Sequence, residues 1–454
     1  LISASAFAAA PSIVLTNSVR TGGNVRLGWS SATGGLQFTV ETRGALSGGD
    51  WIPFPGMTWP VTATTVDLPE GLVSDTAFFR IRATPPPVNR GAIISVTQGS
   101  TFTVQQIQFL LMFQGITGVP VRNGVRFYKV VYETVDPHGL SIRASGAMAV
   151  PDGVSTPIPI TSYQHGTVTE REGVPSRLTE EAYLGIALSS AGYLVTMPDY
   201  LGLGDSPGLH PYHHAATEAS ATIDLLRSAK GWCSSNSVNL SPKLFLVGYS
   251  QGGHATLAAM RELEARHTNE FTVTAVSAGA GAYDLAGVTA DALLRDAPYP
   301  NPFYLSYLVA AYAQIYPLGG SFSELLAPPY NTTVPPLFDG TRDASAINAA
   351  VPSVPANVLR EDYRADLRAR ADHPLRVALR ENSLLDWAPR APLRLYHCAA
   401  DLDVPPANMQ VAYDSFIANG STQVQKFDPQ PTAGHGACAE PSLLATLPWL
   451  ESLR

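Results

Sequence analysis

Between about Pro11 and Thr84, apolar and polar residues alternate in short runs, SIVLTNSV, NVRLGWSS, QFTVETRG, TTVDLPEG and AFFRIRAT, separated by Gly, Asn, Asp and Ser. A period of two puts one face of each run on a core and the other in water, so the runs predict strands. Their spacing of roughly ten residues, with no helical stripe among them, predicts a small antiparallel β-sandwich over residues 11–84. Pro85-Pro86-Pro87 then stiffens the chain, and residues 85–100 read as a linker.

Beyond the linker the period changes. Thr103 to Ile116 carries helical apolar spacing, and Phe127 to Pro151 reads as two strands joined at Asp136-Pro137-His138-Gly139. From Ile158 apolar strands alternate with longer helical stretches: IPITSYQ, a helix from about Thr179, YLVTMPDY, a helix from about Ala215, KLFLVGYS, a helix from Gln251, then FTVTAVSAG. That alternation builds a parallel sheet covered by helices on both faces, an α/β fold for residues 101–454. After Asp284 the alternation stops for roughly a hundred residues, too many for a structureless loop, which predicts an inserted cap subdomain at about 286–389. The sheet pattern resumes with LRLYHCAAD and TQVQKFD, and a helix near Leu443 to Leu453 closes the chain.

Composition narrows the choice of function. Of 454 residues, 45% are hydrophobic and only 15% charged, so a sizeable core is available. A net charge of -8 without a cluster of Lys and Arg argues against a nucleic-acid partner. No uninterrupted apolar run is long enough for a membrane-spanning helix. Residues 1–10, LISASAFAAA, read as the remnant of a secretory signal or another leader, which places the protein outside the cytoplasm: secreted, periplasmic or on the cell surface. Cys233, Cys398 and Cys438 are the only cysteines, an odd count with no zinc-type spacing, so no metal is expected.

The strand Lys243 to Val247 runs into Gly248-Tyr249-Ser250-Gln251-Gly252, and HATLAAMRELEA follows with helical periodicity. A Gly-x-Ser-x-Gly turn between strand and helix holds serine in a strained, exposed position, with glycines allowing strand and helix to approach. Ser250 is therefore the candidate nucleophile, and the Gln251 N–H at the helix start is placed to stabilise an oxyanion. A serine needs a base and an orienting acid, expected later in the chain in the order Ser, Asp, His. LRLYHCAAD ends in Asp401-Leu402-Asp403-Val404-Pro405, where we assign Asp401 in preference to Asp403, and His435 stands in a Gly-flanked loop after the next strand. The loop His165-Gly166-Thr167, after IPITSYQ, supplies Thr167 N–H as second oxyanion donor. Among the other histidines, His254 reads as packing or capping, His397 as lying inside a strand, and His210, His213 and His214 as helix-entry or pocket-lining residues, with no acidic ligand at suitable spacing for a metal.

Tyr163-Gln164-His165-Gly166-Thr167, the stretch Pro198-Asp199-Tyr200-Leu201-Gly202-Leu203-Gly204-Asp205-Ser206, and GYSQGG together resemble the bacterial relatives of the secretory lipases of the lipase A type, over roughly Val130 to the C-terminus. The resemblance implies an α/β-hydrolase fold with an inserted cap, hydrolysis of carboxylic esters without a cofactor, and Ser250, Asp401 and His435 as the catalytic triad. Some of that family lack a His-Gly oxyanion element, so Thr167 rests on other hydrolases. Tyr200, Tyr249 and His165 are candidate substrate-binding residues, with a structural role preferred for His165. In this placement Cys398 stands three residues before Asp401 and Cys438 three after His435. A bridge would tie the acid loop to the base loop, the alternative being two buried thiols. The Trp29 run and Phe78 to Arg82 resemble a fibronectin type III or similar immunoglobulin-like module.

The expected function is acyl transfer to water on a small or polymeric ester, with the cap stretch PYPNPFYLSYLVAAYAQIYP offering apolar and aromatic surface and the front sandwich tethering the enzyme to a surface or polymer. A serine peptidase on the same fold and a non-catalytic adhesion protein on a hydrolase scaffold are the alternatives.

Overall fold

The computed structural model describes residues 13–31, 34–43, 51–73, 78–116 and 118–454. The leader-like stretch 1–10 lies outside the described residues. Two compact units emerge, one from the described residues up to Val88 together with Val135–Ser141, the other from Asn89–Thr134 with Ile142–Arg454.

In the first unit, alternation in the sequence becomes two small antiparallel sheets. β1 (Ile13–Thr21), β2 (Asn24–Ser31) and β5 (Thr65–Pro69) form one, in the order β1-β2-β5. β4 (Ile52–Pro53), β3 (Gln37–Arg43) and β6 (Phe78–Thr84) form the other, in the order β4-β3-β6. Val25, Leu27 and Trp29 of β2 and Phe38 and Val40 of β3 are buried in one cluster with Phe54 and Leu68. The rings of Trp29 and Phe38 meet edge-on at 5.5 Å, which packs the sheets face to face.

The second unit is an α/β-hydrolase fold built on a nine-stranded sheet, ordered β15-β14-β13-β12-β10-β11-β9-β8-β7. Its strands are β7 (Ile93–Phe102), β8 (Val125–Val135), β9 (Ser141–Pro151), β10 (Ile158–Gln164), β11 (Leu194–Pro198), β12 (Leu240–Tyr249), β13 (Val273–Gly279), β14 (Leu393–Tyr396) and β15 (Val424–Phe427). From β11 through β15 the pairings are parallel, and every residue of β10 and β11 is buried, as a sheet covered on both faces requires. β7 falls largely inside the stretch read as linker. It is an edge strand, exposed along most of its length, so it lacks the apolar face that marks a strand in sequence.

Around the sheet lie α1 (Val104–Phe113), α2 (Glu180–Ser190), α3 (Ala215–Ser235) and α4 (Gln251–Arg266). Between β13 and β14 the chain runs through α5 (Ala290–Leu293), α6 (Phe303–Ile315), α7 (Phe322–Leu325), α8 (Tyr330–Thr333), α9 (Ala344–Ala350), α10 (Glu361–Ala369) and α11 (Pro374–Asn382). α12 (Ala407–Ala418) and α13 (His435–Leu453) complete the fold. The last helix starts eight residues before the sequence places it and runs through Pro441 and Pro448. No helix among the described residues is long and apolar enough to cross a membrane.

Candidate active site

Strand β12 delivers Ser250 at its C-terminal end. Ser250 has φ 60° and ψ -124°, a conformation costly for a residue with a Cβ, and its N–H donates to Gly279 O at 2.9 Å. Glycine on both sides makes this turn physically accessible. A Cβ on Gly248 would sit 2.2 Å from Gly252 O, and one on Gly252 would sit 1.9 Å from Gln164 O at the end of β10. Without side chains at these positions, α4 lies directly against the strand ends, and its first N–H groups, beginning with Gln251, lack helical partners.

Ser250 Oγ lies 2.8 Å from His435 Nε2, and His435 Nδ1 lies 2.6 Å from Asp401 Oδ2. Gly434 precedes α13, so His435 is its first residue rather than part of a loop ahead of it. Asp401 follows β14 in a tight turn where its Oδ1 accepts the N–H groups of Asp403 and Val404, each at 2.9 Å. Its Oδ2 also receives His397 Nε2 at 3.1 Å. That nitrogen stands 2.9 Å from Val404 O, another pure acceptor, so His397 carries its proton on Nε2. Burial pushes the Asp401 carboxyl upward, but the bonds from His397 and His435 outweigh it and hold the group well below the usual carboxylate range. Asp401 thus stays ionised and orients the imidazole, an arrangement able to accept the Ser250 proton during attack. His397 lies one residue past β14 rather than within a strand. Its involvement is signalled in sequence only by its spacing of four from an acid across a turn.

Cys398 and Cys438 are joined by a disulfide that links the turn holding Asp401 to the first turn of α13. Cys233 is a buried free thiol.

Ser250 and Gln251 open onto a cavity lined by Tyr212, His213, Leu293, Tyr299, Tyr304 and Leu308. Tyr299 and Tyr304 come from the insertion, and Tyr212, from the turn before α3, stacks at 4.4 Å on Tyr307 of α6. Asp403, the acid set aside in favour of Asp401, also lines this cavity, its Oδ1 accepting from Asn301 Nδ2 at 2.9 Å. Thr167 is reached from β10, and its hydroxyl pairs with Tyr212 OH at 3.0 Å.

None of the three candidate substrate-binding residues lines the cavity. Tyr200, only 1% exposed, is packed between His165 and His210 and donates its hydroxyl to His165 O at 3.1 Å. Tyr249 donates to His435 O at 2.6 Å and so holds the base from behind. His165 is fully buried, its ring nitrogens 2.8 Å from Gly166 O and 3.3 Å from Asp199 O. The hydroxyls of Tyr200 and Tyr249 are consumed by partners distant in sequence, and His165 by its neighbour Gly166 and by Asp199.

His214 directly precedes α3, and His213 lines the cavity. His210 is buried, with Nδ1 2.8 Å from Leu201 O and Nε2 2.7 Å from Gln251 Nε2, so its proton sits on Nδ1 and Nε2 accepts. Burial lowers its pKa to about 3.

The sequence profile of the secretory lipases matches residues 176–453. No curated protein shows a sequence match. Among solved structures, a candidate hydrolase from Legionella pneumophila is 31% identical with a TM-score of 0.74, covering 80% of this chain and 98% of its own. The rice cell wall degrading esterase LipA from Xanthomonas oryzae is 30% identical with a TM-score of 0.68, covering 80% and 96%. Candida antarctica lipase A in its closed state shares the fold at 18% identity and a TM-score of 0.62, covering 81% and 82%.

Proposed function

The chain belongs to the secretory lipase family, whose members hydrolyse carboxylic esters, and from that premise we propose that Ser250, His435 and Asp401 perform the hydrolysis through an acyl-enzyme in an exported protein. The observation that carries this reading is the unbroken chain of hydrogen bonds from Ser250 Oγ through His435 to Asp401. His435 takes the serine proton as Oγ attacks the ester carbonyl, then returns it to the leaving alcohol; water repeats the sequence and frees the acid. Asp401 holds the imidazolium, and the N–H groups of Gln251 and Thr167 receive the oxyanion.

The acyl or alcohol group occupies the cavity between Ser250 and the tyrosines of the insertion. Its one carboxylate, from Asp403, and its tyrosine hydroxyls suit an ester that is not uniformly apolar. The likeness to an esterase that degrades rice cell wall extends this to polymeric esters, polyesters among them, with the front unit serving as a fibronectin type III-like tether to the polymer surface.

A paired assay of p-nitrophenyl esters and aminoacyl-nitroanilides on wild type and Ser250→Ala tests the reading. Ester turnover should dominate and fall at least about ten thousandfold in the variant. Faster amide turnover, or ester turnover surviving the substitution, refutes it. Removing the residues before Val88 should leave soluble-ester turnover intact and lower the rate on an insoluble polyester.

A further inference from the structure

Outside the serine, histidine and aspartate chain, the described residues contain a buried group of metal-ligating side chains. A ring nitrogen of His213, a carboxylate oxygen of Glu218 and a ring nitrogen of His254 all lie within 4.8 Å of one another. They converge from the turn before α3, the first turn of α3 and the first turn of α4, and are 5%, 1% and 0% exposed. In sequence the histidines near His213 lacked an acidic ligand; folding supplies Glu218 from the adjoining helix and His254 from the helix behind Ser250.

The hydrogen bonds of this group close only with an extra proton between His254 and Glu218, and they leave a nitrogen of His213 over. His254 Nε2 lies 2.9 Å from Asn382 O, which can only accept, so this nitrogen carries a proton. The other nitrogen, Nδ1, faces Glu218 Oε2 at 2.6 Å. With Nε2 protonated, a neutral imidazole presents a lone pair to a carboxylate there, so something positive must lie between them. Glu218 Oε1 already accepts from Gln251 Nε2 at 2.9 Å. Beside this pair, with its ring edge-on to His254 at 4.8 Å between centroids, His213 keeps a buried Nδ1 with no partner. Gln251 Oε1 is the other buried atom of this network without a partner, and a buried imidazole nitrogen left unsatisfied beside a carboxylate calls for a ligand.

We propose that His213, Glu218 and His254 bind a divalent transition cation of the zinc type, which takes the place of the proton between Glu218 and His254 and uses a ring nitrogen of His213. Two imidazoles and one carboxylate form a donor set suited to Zn²⁺ and poorly suited to Mg²⁺ or Ca²⁺. Around a zinc ion with bonds of about 2.1 Å, donor atoms stand roughly 3–3.5 Å apart, so the three groups need shift only by about 1 Å. The outer contacts are already those of a metal site: His254 donates its second nitrogen to a backbone carbonyl, and Gln251 steadies the second oxygen of Glu218. The cation touches no reacting atom. It pins the turn carrying Tyr212 and His213, a wall of the cavity, to the helix that begins at Ser250, and its existence does not depend on the reading of Ser250 as nucleophile.

The test uses the full chain purified without a histidine tag and stripped with chelator. Titration with ZnSO4 should register one equivalent by calorimetry and raise Tm by several degrees, while MgCl2 does neither. His213→Ala removes a nitrogen that bonds nothing in the metal-free fold, so it should fold and lose zinc affinity by at least about tenfold. X-ray absorption on the zinc-loaded wild type should show two imidazoles. Absence of saturable zinc binding by the wild type, unchanged affinity in His213→Ala, or a zinc environment without imidazole overturns the proposal. Ser250→Ala should bind zinc as the wild type does, which separates this outcome from any failure of the esterase reading.

Discussion

His397 and His435 meet on a single oxygen, Oδ2 of Asp401, at 3.1 and 2.6 Å. One histidine is proposed to exchange protons with Ser250; the other stands on the far side of the same carboxylate, buried and holding its Nε2 proton between Asp401 and Val404 O. The acid is thus held from both faces, with two backbone N–H groups on its other oxygen. His397 is a positioning residue. Replacing it with Ala should lower kcat about ten- to a hundredfold, the equivalent of one hydrogen bond to a charged acceptor, and leave KM within about threefold. His397→Gln, which restores an N–H, should recover part of the loss. A change confined to KM would remove His397 from this role.

The approach of α4 to β10 gives a second prediction. A Cβ on Gly252 would stand 1.9 Å from the Gln164 carbonyl, a backbone atom that cannot move aside alone. Gly252→Ala must therefore displace the helix or the end of β10, and with it the geometry of Ser250 and of the loop His165-Gly166-Thr167. The variant should be destabilised by several kcal/mol or fail to accumulate as soluble protein. Gly231, on α3, has no heavy atom within 4 Å of its would-be Cβ. Gly231→Ala should be neutral or slightly stabilising in a urea titration, serving as the control.

How far the sequence carried the site follows from where each contact originates. Ser250 was legible because strand, turn and helix are consecutive in the chain, and Asp401 and His435 because each follows a strand of recognisable apolar pattern. β11 and the second half of β12 were readable since burial on both faces makes them largely apolar. β7 was not, because an edge strand exposed along most of its length resembles a linker. The start of α13 was misplaced because Pro441, inside a continuing helix, mimics a helix boundary. Tyr200, Tyr249 and His165 do not line the cavity because their polar atoms are taken up by His165 O, His435 O, Gly166 O and Asp199 O, contacts that nearness to the motif does not show. The cavity wall depends in part on α5, which supplies Leu293 and is too brief for any period to establish itself.

The disulfide offers a third test. By joining Cys398 to Cys438 it spans 40 residues and restricts the separation of the turn bearing Asp401 from the helix bearing His435. Closing a loop of that size should stabilise the fold by about 2–4 kcal/mol. Cys398→Ser/Cys438→Ser should therefore unfold at lower urea concentration by that amount. It should also lose ester turnover at a lower temperature than wild type, since local separation of acid and base precedes global unfolding. Equal midpoints in the two proteins would mean that the bridge is silent.

Acid sensitivity supplies the last prediction, and its sign can be worked out from His210. In the fold this residue is neutral by construction: Nδ1–H faces the Leu201 carbonyl and Nε2 accepts from the Gln251 amide, whose other N–H is committed to Glu218. Burial accordingly lowers its pKa from 6.5 to about 3. In the unfolded chain the same imidazole titrates near its ordinary value. Above pH 6.5 neither state carries the proton, and the group contributes no pH dependence. As pH falls from 6.5 toward about 3 the unfolded chain takes up a proton that the fold refuses, so stability declines by about 1.4 kcal/mol per pH unit from this group alone. Urea titrations between pH 7 and pH 5 should show the decline, and in His210→Asn the slope should be shallower by one proton whatever the variant's absolute stability. Parallel slopes would show that His210 is protonated within the fold. That outcome would break the hydrogen-bond order running from Leu201 through Gln251 to Glu218, and Gln251 would have to turn its carbonyl toward the imidazolium.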